Sequence, residues 1–379
     1  MLAPMAEISH RGLRELIAEY DRAPSFARKD ESGQFPQVEY FTEMLSAGAL
    51  LGGGPFEKWY LDAGPCPERL VYQLVGADAG QLERAAAFLD GTDCLGIDIN
   101  MGCAAPAIRR IGAGLAWTGD LEGARAMVGR VRSVVRRKRL SVKLRCPLMG
   151  PELGPRELRS GGPAPRGEER MLEYLIRFCQ ALEGEGVRLI TLHPRLAGEK
   201  FKRPARWDYV ERLRGELGIP VAGNGDIGSP AELAARSRGG KAMVGRAAVR
   251  RPWIFAAARL LAAGPAAAAA GGMADRVGKT ADGAGNREEG GAPGSAGLSP
   301  PLNLEETGLR FLELLARHQP PEFHISRSRR FFNYFCDNLK WGTHVKNLLN
   351  REESLGGIET AWRAYFASHP EDRSLPAGA

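Results

Sequence analysis

The sequence lacks the features of disulfide-rich, zinc-binding and membrane-spanning proteins. Its cysteines are few and scattered, with no CxxC pair and no Cys/His ligand spacing, so we expect neither disulfides nor a metal site. No apolar run approaches the roughly 20 residues that span a bilayer. Residues 1–7 lack the basic start and apolar core of a signal peptide. We therefore expect a cytoplasmic protein with no membrane contact.

What remains is an ordinary globular composition with a surplus of basic residues. The chain has 379 residues, of which 44% are hydrophobic and 26% charged, and its formal net charge is +7. That length suits one large domain and a smaller one, and we expect a monomer. The positive charge allows a polyanionic partner, although a basic solvated surface would give the same surplus.

Short apolar runs recur along the first two thirds of the chain, and most are separated by helical patterns. They lie at 2–6, 40–45, 70–75, 95–99, 140–145, 188–193, 219–224 and 242–245. Strands that are apolar throughout are typical of a parallel sheet covered by helices. The simplest closure is a (β/α)8 TIM barrel. A doubly wound open sheet would carry a glycine fingerprint after its first strand, and Pro4-Met5-Ala6 is not one.

Two segments interrupt this repeat and suggest the domain boundaries. Residues 150–168 form an insertion rich in glycine and proline, and residues 263–300 are of low complexity. The second composition cannot bury enough apolar surface to offset chain entropy, so it predicts a disordered linker. The prediction is a catalytic barrel at 1–262 and a smaller all-helical domain at 301–379.

The helical domain carries an excess of positive charge. Residues 324–351 contain six basic residues and only one acidic residue, Asp337. The basic residues are Arg327, Arg329, Arg330, Lys340, Lys346 and Arg351. A solvated helix face usually mixes both signs. The excess therefore favours a surface that contacts phosphates over a plain solvated face.

Polar groups stand where nearly every predicted barrel strand ends, which is where barrel enzymes place their chemistry. They are Glu43, Gln73, Asn100 with Cys103, Lys143 with Arg145, His193, Asn224 and Arg246. Taken singly, Gln73 could be a satisfied core amide and His193 a structural histidine. Residues 223–227 and Gly245-Arg246 predict a phosphate cradle, because glycines let backbone N–H groups approach an anion. With Lys143 alongside, the cradle suggests flavin mononucleotide (FMN), although a sugar-phosphate would fit it too.

These residues resemble the tRNA-dihydrouridine synthases. The matching motifs come in the family's order: Pro4-Met5-Ala6, Thr42-Glu43-Met44, Asn100-Met101-Gly102-Cys103, Ser141-Val142-Lys143-Leu144-Arg145, His193-x-Arg195, Gly223-Asn224-Gly225-Asp226-Ile227 and Val244-Gly245-Arg246. The chain departs from the family at Ala104, where a proline is usual, and at Ala107, where a lysine is usual.

The resemblance implies FMN-dependent reduction of the C5–C6 double bond of uridine in tRNA, with NADPH as reductant. Cys103 would donate the proton, since a thiol with a pKa near 8.5 stays mostly protonated at neutral pH. The expected cofactor residues are Pro4, Met5, Ala6, Gln73, Lys143, His193, Asn224, Gly225, Asp226, Gly245 and Arg246. The expected substrate residues are Asn100, Arg145 and Arg195 in the barrel, with Arg327 and Arg330 in a helical tRNA-binding domain.

Two other functions remain open from the sequence. The chain could be an FMN-dependent reductase of a small pyrimidine or enone, although the basic helical domain argues against a small substrate. It could also be a tRNA-binding protein that has lost catalysis, as Ala104 and Ala107 suggest.

Overall fold

Seven parallel strands form one curved sheet in chain order. The computed structural model describes residues 1–23, 26, 37–147, 165–199, 203–262 and 302–375. The strands are β1 (Tyr40–Ser46), β2 (Leu70–Val75), β3 (Gly96–Met101), β4 (Arg139–Arg145), β5 (Ile190–His193), β6 (Val221–Asn224) and β7 (Ala242–Met243), and each pairs with the next. Leu2 makes parallel bridges to both Tyr40 and Val244, which joins the two edges. The predicted TIM barrel is confirmed.

The first predicted strand, at 2–6, is reduced to a bridge at Leu2. Leu2 and Ala3 still donate backbone hydrogen bonds to neighbouring strand segments, at 2.9 and 2.8 Å. Pro4 has no N–H to continue the ladder, and the chain then turns, with Ile8 and Ser9 donating to the carbonyl of Met5. The early turn leaves Pro4 and Met5 at the mouth of the barrel.

Helices alternate with the strands and cover the outside of the sheet. Their bounds are α1 (Arg11–Arg22), α2 (Ala47–Gly52), α3 (Glu57–Tyr60), α4 (Ala79–Asp90), α5 (Pro106–Arg110), α6 (Leu121–Val134), α7 (Pro165–Gly184), α8 (Trp207–Glu216), α9 (Pro230–Ser237), α10 (Arg246–Arg250) and α11 (Ile254–Ala262). Local sequence sets several starts: Asp78 and Asp120 accept N-terminal backbone N–H groups of α4 and α6, and Ser229 forms a capping box with Glu232.

The C-terminal part consists mainly of four helices. They are α12 (Leu304–His318), α13 (Pro321–Phe335), α14 (Gly342–Leu349) and α15 (Leu355–Ser368). The expectation of an all-helical unit was wrong in one detail, because β8 (Leu302–Asn303) pairs antiparallel with β9 (Ser374–Leu375). Phe331, Phe335 and Leu339 recur every four residues in the sequence, a spacing that predicts a buried apolar stripe, and all three are buried. Stacking of Phe331 on Phe311, with ring centroids 3.7 Å apart, ties α13 to α12.

The C-terminal helices pack directly on the barrel. Helix α12 lies against α1, and the hydroxyl groups of Tyr20 and Thr307 form a hydrogen bond of 2.5 Å between them. Trp253 meets the ring of Phe335 edge-on at 6.4 Å. One apolar core therefore runs from the barrel into the helices. The predicted linker at 263–300 and residues 150–164 of the predicted insertion lie outside the described residues, while 165–168 already belong to α7.

Candidate active site

A cavity of about 660 Å³ opens at the carboxyl ends of β4 to β7. This volume lies within the range of ligand-binding clefts. Most residues predicted from the strand ends line it: Pro4, Met5, Lys143, Arg145, His193, Arg195, Asn224, Gly225, Asp226, Gly245 and Arg246. Tyr334 and Asp337 from the C-terminal part complete one side and were not predicted. Ala6, Gln73, Asn100, Cys103, Arg327 and Arg330 do not line it.

Lys143 and Arg145 stand two residues apart on β4 and so face the same side of the strand. Burial lowers the pKa of Lys143 to about 8, against the opposing effect of the nearby Asp98 carboxylate. Burial also lowers the pKa of Arg145, whose buried Nε has no hydrogen-bond partner among the described residues. Both cations lie in the cavity wall, where an electron-rich or anionic group could meet them.

His193 lies between two arginines at the end of β5. Its Nδ1 is 3.2 Å from Nη2 of Arg145, and its Nε2 is 3.1 Å from Nη1 of Arg195. Burial, followed by the positive charges of Lys143, Arg145, Arg195 and Arg246, holds the pKa of His193 far below its usual range. The imidazole is therefore neutral at physiological pH.

Arg195 is held firmly by the protein. Its side chain is 1% exposed, its Nε donates to the carbonyl of Arg203 at 2.7 Å, and its Nη2 pairs with the Asp226 carboxylate at 2.5 Å. Asp226 also accepts from the backbone N–H of Ala205 at 2.6 Å. Arg195 and Asp226, expected to meet substrate and cofactor respectively, are thus paired with each other.

The turn after β6 brings backbone close to the cavity. Gly225 has φ 121° and Asp226 has φ 52°, conformations that favour glycine and tolerate Asp. A Cβ at Gly225 would come within 3.1 Å of the His193 ring. The Asn224 amide donates to the carbonyl of Met243 at 2.8 Å and so ties this turn to β7. The arrangement suits an anion held by main-chain groups, with Arg246 nearby.

Cys103 sits in a loop that Asn100 organises. The Oδ1 atom of Asn100 accepts from the backbone N–H groups of Gly102 and Cys103, at 3.1 and 2.9 Å. The N–H of Leu115 donates to the carbonyl of Cys103 at 3.1 Å. The thiol is free and half-buried, and it lies close enough to influence the pKa values of both Lys143 and Arg145. The loop is fixed although Ala104 replaces the expected proline.

A buried polar chain supports Asn100 from below. Asn100 Nδ2 donates to Gln73 Oε1 at 2.8 Å, Gln73 Nε2 donates to Asp98 at 2.7 Å, and the Ser141 hydroxyl donates to Asp98 at 2.7 Å. Burial raises the pKa of Asp98 to about 6, although these hydrogen bonds oppose the rise. Both ends of the Gln73 amide are used here, and its contact with flavin remains a prediction. Asp98 was not predicted as a site residue from the sequence. A single carboxylate inside an apolar strand is the feature that could have indicated it.

Arg327, predicted to contact tRNA, is instead buried between the barrel and the helices. Its guanidinium pairs with Glu43 at 2.8 Å, the two side chains being 1% and 5% exposed, and lies 4.7 Å from the ring of Phe323. Glu43, the partner with which Arg327 is buried, lies far from it in the sequence. Arg330 is half-exposed and pairs with Glu7.

Comparisons with known proteins bear on the family to which the chain belongs. A family model described as "Dihydrouridine synthase (Dus)" matches residues 1–149 and 167–274, more than half of the chain. The chain belongs to the dihydrouridine synthase family. The "tRNA-dihydrouridine(16) synthase" of Cupriavidus necator is 26% identical over 263 residues, which cover 67% of this chain and 71% of that relative.

Two further comparisons are weaker or shorter. The "tRNA-dihydrouridine synthase B" of Xanthomonas axonopodis pv. citri is 30% identical over 193 residues, half of this chain and 52% of that relative. Among solved structures, a variant of NCR from Zymomonas mobilis is similar over 69% of this chain and 86% of its own chain. The TM-score is 0.40 and the sequence identity is 15%.

The described residues also bear on the other expectations. No helix among them is long and apolar enough to cross a membrane. In the same part of the chain, no three His, Cys, Asp or Glu side chains lie together as metal ligands would.

Proposed function

We propose that this protein reduces the C5–C6 double bond of uridine in tRNA to dihydrouridine, with FMN in the cavity and NADPH as reductant. The observation that carries the proposal is the family's cysteine, Cys103, in a fixed loop whose Gly102 packs against the backbone of Leu144 and Arg145 at the carboxyl end of β4. We place catalysis in residues 1–262 and tRNA binding in the helices of 301–379, in a cytoplasmic monomer.

The chemistry of the cavity wall supports FMN. Met5 and Ile8 offer apolar surface for a flat ring, while Lys143, Asn224 and Arg246 bring cationic or amide groups. The backbone at Gly225 approaches the His193 ring so closely that a side chain there would fill the space, which leaves room for a ligand at this turn. We assign Lys143 to the ring edge that gains negative charge on reduction, and the turn at 224–226 with Gly245 and Arg246 to the ribityl phosphate.

Cys103 is the proton donor in this proposal. FMN, bound in the cavity and reduced by NADPH, would supply a hydride for C6 of the uracil. The thiol then donates a proton to C5, so that two hydrogens are added across the double bond and the thiolate regains its proton from water. Asn100 keeps the thiol in place, because its Oδ1 holds the backbone N–H of Cys103.

The target base must leave its stack to reach the bottom of such a cavity. Arg145 remains our choice for contacts to the uracil carbonyls or a neighbouring phosphate, because Arg195 is committed to Asp226 and Arg203. Of the two helical arginines, Arg330 keeps the accessible position that contact with tRNA requires.

The experiment separates the two halves of the site. Cys103→Ala is expected to lower dihydrouridine formation by about 10²- to 10⁴-fold, the usual contribution of a positioned acid, while the purified protein stays yellow. Arg246→Ala is expected to release flavin, because it removes a cation from the cradle. Mass spectrometry of tRNA gives the first readout, and visible absorbance gives the second.

Unchanged tRNA dihydrouridine in Cys103→Ala would contradict the assigned acid, and colourless wild-type protein that binds tRNA would contradict catalysis. Turnover of free uracil or an enone, with tRNA unreactive, would point to a small-molecule reductase. Equal loss of flavin in both variants would contradict the division of roles.

A further inference from the structure

Two contacts of His193 bring hydrogen-bond donors to both nitrogens of its ring. A guanidinium only donates hydrogen bonds, whereas a neutral imidazole has one nitrogen that donates and one that accepts. His193 nevertheless faces arginine nitrogens on both sides, Arg145 at 3.2 Å and Arg195 at 3.1 Å. Only one arginine can donate to the ring, and the other must face a ring N–H.

The surroundings of the two arginines decide which one donates. Arg195 is fixed by the Arg203 carbonyl and the Asp226 carboxylate, and its side chain is 1% exposed. If the ring N–H pointed at Arg195, two hydrogen-bond donors would face each other, and the fixed Arg195 side chain could not move away. A buried hydrogen-bonding group left without a partner costs about 1–3 kcal/mol. Arg145 lies in the cavity wall, and among the described residues no carbonyl or carboxylate group holds its guanidinium as Arg203 and Asp226 hold that of Arg195.

We infer that Asp226, acting through Arg195, is a positioning residue that keeps the proton of the His193 ring on Nδ1. His193 Nδ1–H and Arg145 then present two donors to a single oxygen atom of the molecule that fills the cavity. The oxygen is a carbonyl or phosphate oxygen, since both groups accept without donating. The inference rests on the proposed function only for the identity of that oxygen.

The tautomer is measured directly by ¹⁵N–¹H correlation spectra of the full-length protein with ¹⁵N-labelled histidine. The six histidines are distinguished by the signal that His193→Gln removes. In the wild type we expect a protonated Nδ1 and an unprotonated Nε2 at His193. In Arg195→Met, Nε2 loses its donor, so the ring is expected to populate both tautomers.

Matched variants separate positioning from general disturbance. Arg206→Met breaks a comparable pair, since Arg206 donates to Glu199 at 2.7 Å. Within the described part of the chain, Arg206 forms no hydrogen bond with His193, so this variant should keep the Nδ1–H signal. Asp226→Asn keeps an acceptor for Arg195 and tolerates the positive φ, so it should retain most of that signal. A protonated Nε2 in the wild type, or an unchanged tautomer in Arg195→Met, would overturn the inference.

Addition of FMN, or of uridine 5′-monophosphate, tests the pair of donors. When an oxygen atom of the added probe accepts from His193, the chemical shift of the Nδ1–H resonance should change in wild type. The change should be smaller in Arg145→Met. The probe that causes the larger change identifies the source of the oxygen. If neither probe moves the resonance, the donor pair is refuted. These spectra need no turnover, so an inactive protein with the expected tautomer would contradict the proposed function alone.

Discussion

At the scale of single residues, Asp98 is an acid sealed inside the barrel beneath the cysteine loop. Burial raises its pKa to about 6, so the folded protein binds more protons than the unfolded chain between about pH 4 and pH 6. Stability should therefore fall through that window as pH rises. At about 1.4 kcal/mol per pKa unit, the ionised Asp98 costs the folded state up to about 3 kcal/mol at neutral pH.

Asp98→Asn is the variant that isolates this effect. The amide keeps an acceptor for Gln73 and can donate to the Ser141 hydroxyl, yet it never ionises. We expect the free energy of unfolding of Asp98→Asn, relative to wild type, to rise by up to about 3 kcal/mol between pH 4 and 7. Urea denaturation at several pH values measures it.

Asp90→Asn is the matched control. Burial raises the pKa of Asp90, but the backbone N–H groups of residues 136–138 outweigh it and leave the pKa below its usual value. Asp90 therefore titrates below that pH window. The free energy of unfolding of Asp90→Asn, relative to wild type, should stay nearly constant between pH 4 and 7. A flat profile for Asp98→Asn as well would show that Asp98 ionises normally.

Residue by residue, the sequence predicted the lining of the cavity better than it predicted roles within it. Lys143 and Arg145 could be placed because strand periodicity and barrel topology determine where they point. The pairing of Arg195 with Asp226 could not be predicted, because it depends on how two loops 31 residues apart fold over each other.

At the scale of secondary-structure elements, the pair of Glu43 on β1 and Arg327 on α13 joins the barrel to the helices. Removal of one partner of a buried ion pair leaves an uncompensated charge and typically costs about 3–5 kcal/mol. We expect that loss of unfolding free energy in Arg327→Met, measured by chemical denaturation. The double variant Glu43→Gln with Arg327→Met should recover most of it, because no buried charge remains.

Arg330→Met provides the comparison on the same helix. Arg330 pairs with Glu7 where both side chains are about half exposed, and exposed pairs contribute about 0–1 kcal/mol. A loss in Arg327→Met no larger than the loss in Arg330→Met would show that the buried pair does not hold the two parts together.

The elements themselves were largely predictable, because apolar runs and cap residues are local signals. The apolar pattern of the C-terminal sequence predicts four helices, at 304–317, 326–339, 342–351 and 357–366. Helices α12, α14 and α15 begin and end within about two residues of the first, third and fourth of these limits. Helix α13 begins at Pro321, five residues before its predicted start at 326, because a proline is well accommodated in a first helical turn. The burial of Arg327 had no local signal, since its partner lies 284 residues away.

At the scale of the whole molecule, the predicted phosphate surface on the helices is smaller than the sequence suggested. Arg327 is buried, and Arg330 and Lys346 pair with acids. Lys340 lies 5.6 Å from the ring of Trp341, which is 51% exposed. An exposed aromatic beside a cation is a surface on which a base can stack. Counting charges along a sequence cannot reveal which of them the fold neutralises.

The barrel offers a second basic surface, next to the cysteine loop. Arg109 and Arg110 end α5, both exposed, and neither forms an ion pair within the described parts of the chain. Ile111, 63% exposed, follows them. Because α5 directly follows the loop of Cys103, RNA whose base reaches the thiol must pass near these arginines. We therefore expect them to contact phosphates that flank the target nucleotide.

The double variant Arg109→Ala with Arg110→Ala should weaken tRNA binding and reduce its dependence on salt. Each lost phosphate contact lowers the slope of log K against log salt by about 0.7 to 0.9, so the pair should lower it by about 1.4 to 1.8. Arg136→Ala with Arg188→Ala removes two exposed arginines that precede β4 and β5, at the opposite end of the barrel, and should leave the slope unchanged. Filter binding of tRNA from low to moderate salt measures both. Equal slopes for the two double variants would mean that the tRNA does not cross the barrel mouth beside Cys103, and the approach to the thiol would then have to come from the side of Tyr334 and Asp337.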